Sequence, residues 1–251
     1  KTLFIGCSDS RLVPYLLTGA APGELFLVRN VGAFVPPYDQ SHGLHGTMAA
    51  IEFAVLGLHV ERIIVCGHSH CGAIRTAYEG APAEAVALQA WLKLVDEALL
   101  PVQPCAESMR RTEQRAIVLQ LERLMDYPMV RRAVEAGTLS LHGWHYVIED
   151  GEVHVFDAAA GGFVPASRAS SAAWFCWRSY SSRASTAAPV SSSSPNSPSS
   201  CSRMPKRGRP VAAMRALVVG LAPALDGVRE LFARHRRRDQ VALGEITAQL
   251  G

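Results

Sequence analysis

Three short apolar runs constrain this chain more than anything else in it. They are Leu3-Phe4-Ile5-Gly6, Leu25-Phe26-Leu27-Val28 and Arg62-Ile63-Ile64-Val65-Cys66. Each is too short for a helix, lacks polar alternation and is bounded by loop residues, which is the pattern of a strand buried on both faces. Helical stretches separate and follow them. An N-cap at Thr47 opens a helix over 47–58, whose apolar residues Met48, Ile51, Phe53, Ala54, Val55 and Leu58 surround most of the axis and predict burial. Further helices are predicted at 72–78, 85–99, 106–125 and, from a first-turn proline at Pro128, up to Gly137. Asp150-Gly151 between alternating segments at 139–148 and 152–157 signals a hairpin. The expected fold is therefore α/β: a central, mostly parallel sheet flanked by helices, with an antiparallel edge hairpin.

In such a sheet, ligands bind beyond the carboxyl ends of the strands, where the winding direction switches. Winding from the first strand to the second and back to the third makes strands one and three neighbours. The segments that follow them are Cys7-Ser8-Asp9-Ser10-Arg11 and His68-Ser69-His70-Cys71-Gly72. Together these offer two thiols, an imidazole and a carboxylate, a donor set suited to zinc. Cys7, His68 and Cys71 supply three ligands, and Asp9 can fill a fourth place or stand just outside it, drawn off by a bidentate pair with Arg11. A closed structural site with Asp9 permanently bound is the less reactive alternative. His70, inside the tight loop, is not expected to bind alongside His68. His42 and His45 are candidates for passing protons.

Composition divides the chain. Residues 1–167 carry twelve Lys/Arg against eighteen Asp/Glu, and residues 168–251 carry thirteen against four. A zinc-binding domain is expected over 1–166, a Ser/Pro-rich linker or frame-altered tail over 167–210, and a basic helical tail of unknown role over 211–251. The basic runs Lys206-Arg207-Gly208-Arg209 and Arg234-His235-Arg236-Arg237-Arg238 come with no nucleic-acid-binding motif, so no nucleic-acid partner is expected. Six cysteines in a chain with this much apolar content need no disulfide framework, which points to a reduced, cytoplasmic setting. No run of eighteen apolar residues suggests a membrane span.

The two loops, with Val28-Arg29-Asn30-Val31, Val35-Pro36-Pro37, Gly46-Thr47, Ala50-Ile51-Glu52-Phe53-Ala54-Val55 and Leu141-His142-Gly143-Trp144, resemble the β-class carbonic anhydrases in the right order over about residues 1–165. The resemblance implies one zinc ion per chain on Cys7, His68 and Cys71. It also implies an Asp9/Arg11 catalytic dyad that gates the metal, and the Gly72 amide as a donor to substrate oxygen. The implied reaction is reversible hydration of carbon dioxide to bicarbonate and a proton by zinc-bound hydroxide, in a homodimer or a multiple of dimers. Two departures from the family pattern stand out. The helical arm and its active-site Gln are expected to be missing ahead of Lys1, and Gly32-Ala33 stands where Ala-Asn is more usual. The alternatives are a carbonyl sulfide or carbon disulfide hydrolase on the same scaffold, or a non-catalytic zinc module.

Overall fold

The computed structural model describes residues 1–38, 45–158 and 160–169. Six strands form one sheet: β1 (Thr2–Cys7), β2 (Leu25–Asn30), β3 (Arg62–His68), β4 (Ser140–Val147), β5 (Glu152–Asp157) and β6 (Gly162–Pro165). Their spatial order is β2-β1-β3-β4-β5-β6. β2, β1, β3 and β4 run parallel, and β5 and β6 are antiparallel additions at one edge. The expected neighbours pair in register, Ile5 opposite Val65 and Gly6 opposite Cys66. The winding direction reverses between β1 and β3.

The helices are α1 (Pro14–Thr18), α2 (Gly46–Glu52), α3 (Gly72–Glu79), α4 (Val86–Leu92), α5 (Ala106–Asp126) and α6 (Pro128–Glu135). Pro14 and Pro128 sit in the first turns of α1 and α6, where a missing N–H costs nothing. The stretch predicted as a helix over 85–99 begins as α4 and tightens into a 3-10 helix at Lys93–Ala98.

Successive side chains of the parallel strands face opposite layers. Leu3, Ile5, Ile63 and Val65 are buried with residues of α2, α5 and α6, among them Ile51, Ile117, Leu121, Leu124 and Val130, and with Ala54 just after α2. Phe4, Ile64, Cys66 and Trp144 face the other layer with Leu12, Val153 and Val155. Each such fully buried side chain contributes about 1.5–3 kcal/mol before entropy is counted. Helix α5 crosses β3 and β4 at two glycines. A Cβ on Gly67 would lie 2.9 Å from Ile117 Cδ1 and Cγ1, and one on Gly143 would lie 2.9 Å from Ile117 Cγ2. Glycine here buys close approach of helix to sheet.

Several expectations need correction. Thr47 is not the N-cap of α2: His45 holds that position, without a side-chain cap bond. Thr47 Oγ1 instead accepts a hydrogen bond from Asn30 Nδ2 at 3.1 Å. The helix continues as a π-helical turn at Phe53–Gly57, so its apolar residues do not all face inward, and Phe53 and Leu56 are each 55% exposed. Helix α1 and strand β6 were not anticipated. The expectations for His42, for most of 167–210 and for 211–251 fall outside the described residues.

Candidate metal centre

Both ligand loops begin on the last residues of neighbouring strands. Cys7 ends β1, His68 ends β3, and Cys71 is the N-cap of α3 three residues later. The Sγ atoms of Cys7 and Cys71 and a ring nitrogen of His68 all lie within 4.8 Å of one another, and all three residues are buried. Local chemistry prepares each of them. His68 Nδ1 bonds the Ser69 carbonyl at 2.8 Å, so the proton belongs on Nδ1 and the lone pair on Nε2. That Nε2 is buried without a hydrogen-bond partner. A buried orphan acceptor beside two thiols fits a tetrahedral N/S metal and fits little else.

The thiols are set for deprotonation. The Cys71 thiol donates to the Cys7 sulfur, which, with help from His68 and the amides of Asp9 and Gly32, holds the Cys7 pKa down to about 4 against the opposing effect of burial. Cys71 is pushed well up by the same shared proton and by burial, and the amides of Ile74 and Ala73 in the first turn of α3 partly offset this. Burial disfavours the charged form of His68, but the adjacent Cys7 sulfur, the Ser69 carbonyl and Asp9 outweigh it and raise its pKa. A divalent cation bound here would take the place of these shared protons, so its binding would release protons.

Asp9 stands beside the cluster. Its Oδ1 accepts from Arg11 Nε at 2.9 Å and its Oδ2 accepts from the Arg11 guanidinium at 2.7 Å. The Arg11 backbone N–H adds a bond to Oδ1 at 3.0 Å. Hydrogen bonding from Arg11 keeps the carboxyl well below the usual range and raises the Arg11 pKa in return. Asp9 Oδ2 is nevertheless only 3.8 Å from His68 Nε2.

Of the expected residues, Cys7, Asp9, Arg11, His68 and Cys71 lie together here, and Gly72 follows Cys71 as the first residue of α3. His70 does not join them. Its φ is +54°, and its ring pairs with Glu149 on the β4–β5 turn. Glu149 also accepts from Ser69 Oγ at 2.5 Å, while Ser69 Oγ accepts from the Ile148 amide at 2.9 Å, so the hairpin holds the metal loop. His45, at the start of α2, is exposed. Gly32 sits at φ +84° with the Phe34 ring packed against it, a position that disfavours a side chain.

Three participants were missed. Arg29 donates to the Cys7 carbonyl at 3.0 and 2.8 Å and to the Asp9 carbonyl at 2.7 Å, tying β2 to the loop. Glu113 and His145 are buried behind Cys71. The available signals were an arginine ending an apolar strand and a glutamate one turn before Ala116-Ile117 on an apolar helix face.

Comparison with known proteins agrees with this geometry. The carbonic anhydrase family profile matches residues 2–153. A carbonic anhydrase of Pseudomonas aeruginosa is 42% identical over 170 residues, covering 65% of this chain and 76% of the relative. Carbonic anhydrase 1 of Escherichia coli O157:H7 is 41% identical over 172 residues, covering 66% and 77%. Among solved structures, the β-carbonic anhydrase CcaA superposes with a TM-score of 0.61 at 37% identity, over 65% of this chain and 82% of that one. A tetrameric β-carbonic anhydrase of Sordaria macrospora gives 0.55 at 31% identity, over 62% and 79%. With three buried donors converging on one point and this match over more than half its length, the chain belongs to the carbonic anhydrase family, in its β class.

Proposed function

We propose that this chain hydrates carbon dioxide reversibly to bicarbonate and a proton, using one zinc ion held by Cys7, His68 and Cys71. The observation that carries the reading is the buried, partnerless His68 Nε2 facing two thiols, next to a carboxylate already engaged by an arginine. When bound, the metal supplies a Lewis acid that makes a water molecule acidic enough to act as a nucleophile near neutral pH. Two thiolates offset its charge, so the surrounding residues must favour the deprotonated nucleophile. Asp9 does this by accepting a hydrogen bond and aiming the nucleophile's lone pair. Arg11 holds Asp9 away from the ligand atoms; released, Asp9 is close enough to compete for the fourth place and close the site. The amide of Gly72, the first residue of α3, is the candidate donor to a substrate oxygen in this reading.

Assembly as a homodimer or a multiple of dimers is part of the same reading. Phe53 and Leu56 are exposed on the π-helical turn that follows α2, and the Phe53 ring centroid lies 5.7 Å from that of Phe26 on the edge strand β2. Among the described residues Cys7, Cys66 and Cys71 are free thiols, whereas Cys105 is disulfide-bonded, against the expectation of a chain without disulfides. The two ligand thiols, but not that bond, suit a reduced cytoplasmic setting. No helix among the described residues is long and apolar enough to cross a membrane.

The test is stopped-flow carbon dioxide hydration by metal-replete protein, with carbonyl sulfide and carbon disulfide as competing substrates. Hydration that rises with pH supports the reading. Preferential turnover of a sulfur substrate moves the chain to the hydrolase alternative. A fully loaded protein inactive at alkaline pH leaves a metal-binding module.

A further inference from the structure

Glu113 and His145 are charged or chargeable residues placed where the fold offers no solvent. Glu113 is 3% exposed on α5 and His145 is fully buried on β4. Burial of such groups is costly unless every bond is made, so their retention asks for a role. Both oxygens of Glu113 are used. Oε1 accepts the backbone N–H of Cys71 at 3.1 Å, and Oε2 accepts from His145 Nε2 at 3.1 Å. The His145 ring is set in turn by Phe163, edge-on at 6.3 Å, while its Nδ1 is buried without a partner. The same carboxylate lines a small cavity behind the metal centre together with Gly67, His68, Cys71 and Gln120.

From these contacts we propose that Glu113 and His145 form a buried brace that orients Cys71 and so sets how long the chain keeps its metal. The proposal rests on the metal reading above and adds residues that touch neither metal nor substrate. The peptide between His70 and Cys71 fixes the direction in which the Cys71 side chain leaves the backbone. His70 is in the left-handed region at φ +54°, which disfavours a side chain, so the loop does not hold that orientation unaided. Glu149 holds the loop from the hairpin side, and Glu113 holds it from the helix side by the amide of the ligand itself. Because α5 is pressed against β3 and β4 at Gly67 and Gly143, Glu113 has a rigid base from which to act. Outer partners of this kind typically change metal retention by about 10–100-fold.

The experiment compares metal release from the full-length loaded protein into excess chromogenic chelator for wild type, E113Q, E113A and the double variant E113V/H145V. Cobalt(II) substitution provides a thiolate-to-metal absorption band as a second readout. E113Q keeps an acceptor for the Cys71 amide and should stay near the wild-type release rate. E113A and E113V/H145V should release metal about 10–100-fold faster and shift the cobalt band. The double variant replaces both polar groups with apolar ones, so it remains informative if E113A fails to fold. A folded E113V/H145V with wild-type release and an unchanged cobalt band would overturn the brace while leaving the metal reading intact. A wild-type protein that takes up no metal would overturn both.

Discussion

The crossing of α5 over Gly67 gives a prediction that can be worked from contacts alone. Gly67 lies on β3 immediately before His68 and opposite His145. Its backbone does not require glycine; what excludes a side chain is Ile117, whose Cδ1 and Cγ1 would both sit 2.9 Å from the new methyl. In G67A either Ile117 leaves its rotamer or α5 lifts, at a cost of about 1–3 kcal/mol. I117A alone opens a cavity between α5 and the sheet and costs about 2–5 kcal/mol. In G67A/I117A the methyl of residue 67 enters that cavity and its clash is gone. The double variant should therefore lose less than the sum of the singles by about 1–2 kcal/mol, a coupling expected of residues that touch or share a cavity and not of distant ones. Urea unfolding at fixed metal concentration measures all four corners of the cycle. Additivity within about 0.5 kcal/mol would refute the claim that Ile117 is what makes Gly67 necessary. Lifting α5 also withdraws Glu113, so G67A should hold metal less tightly and G67A/I117A should recover part of that loss.

R11A should abolish turnover while zinc stays bound, because Asp9 is then free to take the open position; metal analysis beside stopped-flow hydration checks it, and loss of zinc would reassign Arg11 to metal retention. Burial, with Arg62 nearby, lowers the His142 pKa from 6.5 to about 4, so the unfolded chain binds this proton more readily than the folded one. The resulting stability is fully present above pH 6.5 and is lost as pH falls through 4, worth at most about 3 kcal/mol and, with the ring partly exposed, about 1–2. Urea midpoints across that window should slope for wild type and flatten for H142Q; parallel curves would remove His142 from the account. Chelating the metal should lower the melting temperature, since a ligand at a hundred times its Kd contributes about 2.7 kcal/mol to the folded state, and melting scans with and without chelator measure the shift.

How much of this was legible depended on whether a residue's role follows from its own element. Leu3 to Ile5 and Ile63 to Val65 announced buried strands because both faces are covered, and Cys7 and His68 announced a site because they end those strands. Asp9 and Arg11 are two residues apart, so their pairing could be read locally. Glu113 and His145 could not be paired from sequence, because their meeting depends on which face of α5 settles on which stretch of β4. Phe53 misled for a related reason: a widened π-helical turn follows α2 at Phe53–Gly57, and a residue in phase with an ideal helix no longer faces the core. Strand β6 has only four residues, too few for periodicity to register.

The placement of the ligands on β1 and β3 also has a kinetic side. Cys7 and His68 are sixty-one positions apart in the chain, and they meet only after β1 has docked beside β3. A metal ion held by both would therefore be captured only once these strands have paired, a contact of long sequence separation. Once bound, such an ion would cross-link the two strands and close a long loop, and so would restrict how far the sheet can open at its winding reversal. Loss of the ion should loosen the middle of the sheet before its edges, and amide exchange in β1 and β3 is where that loosening would first be seen.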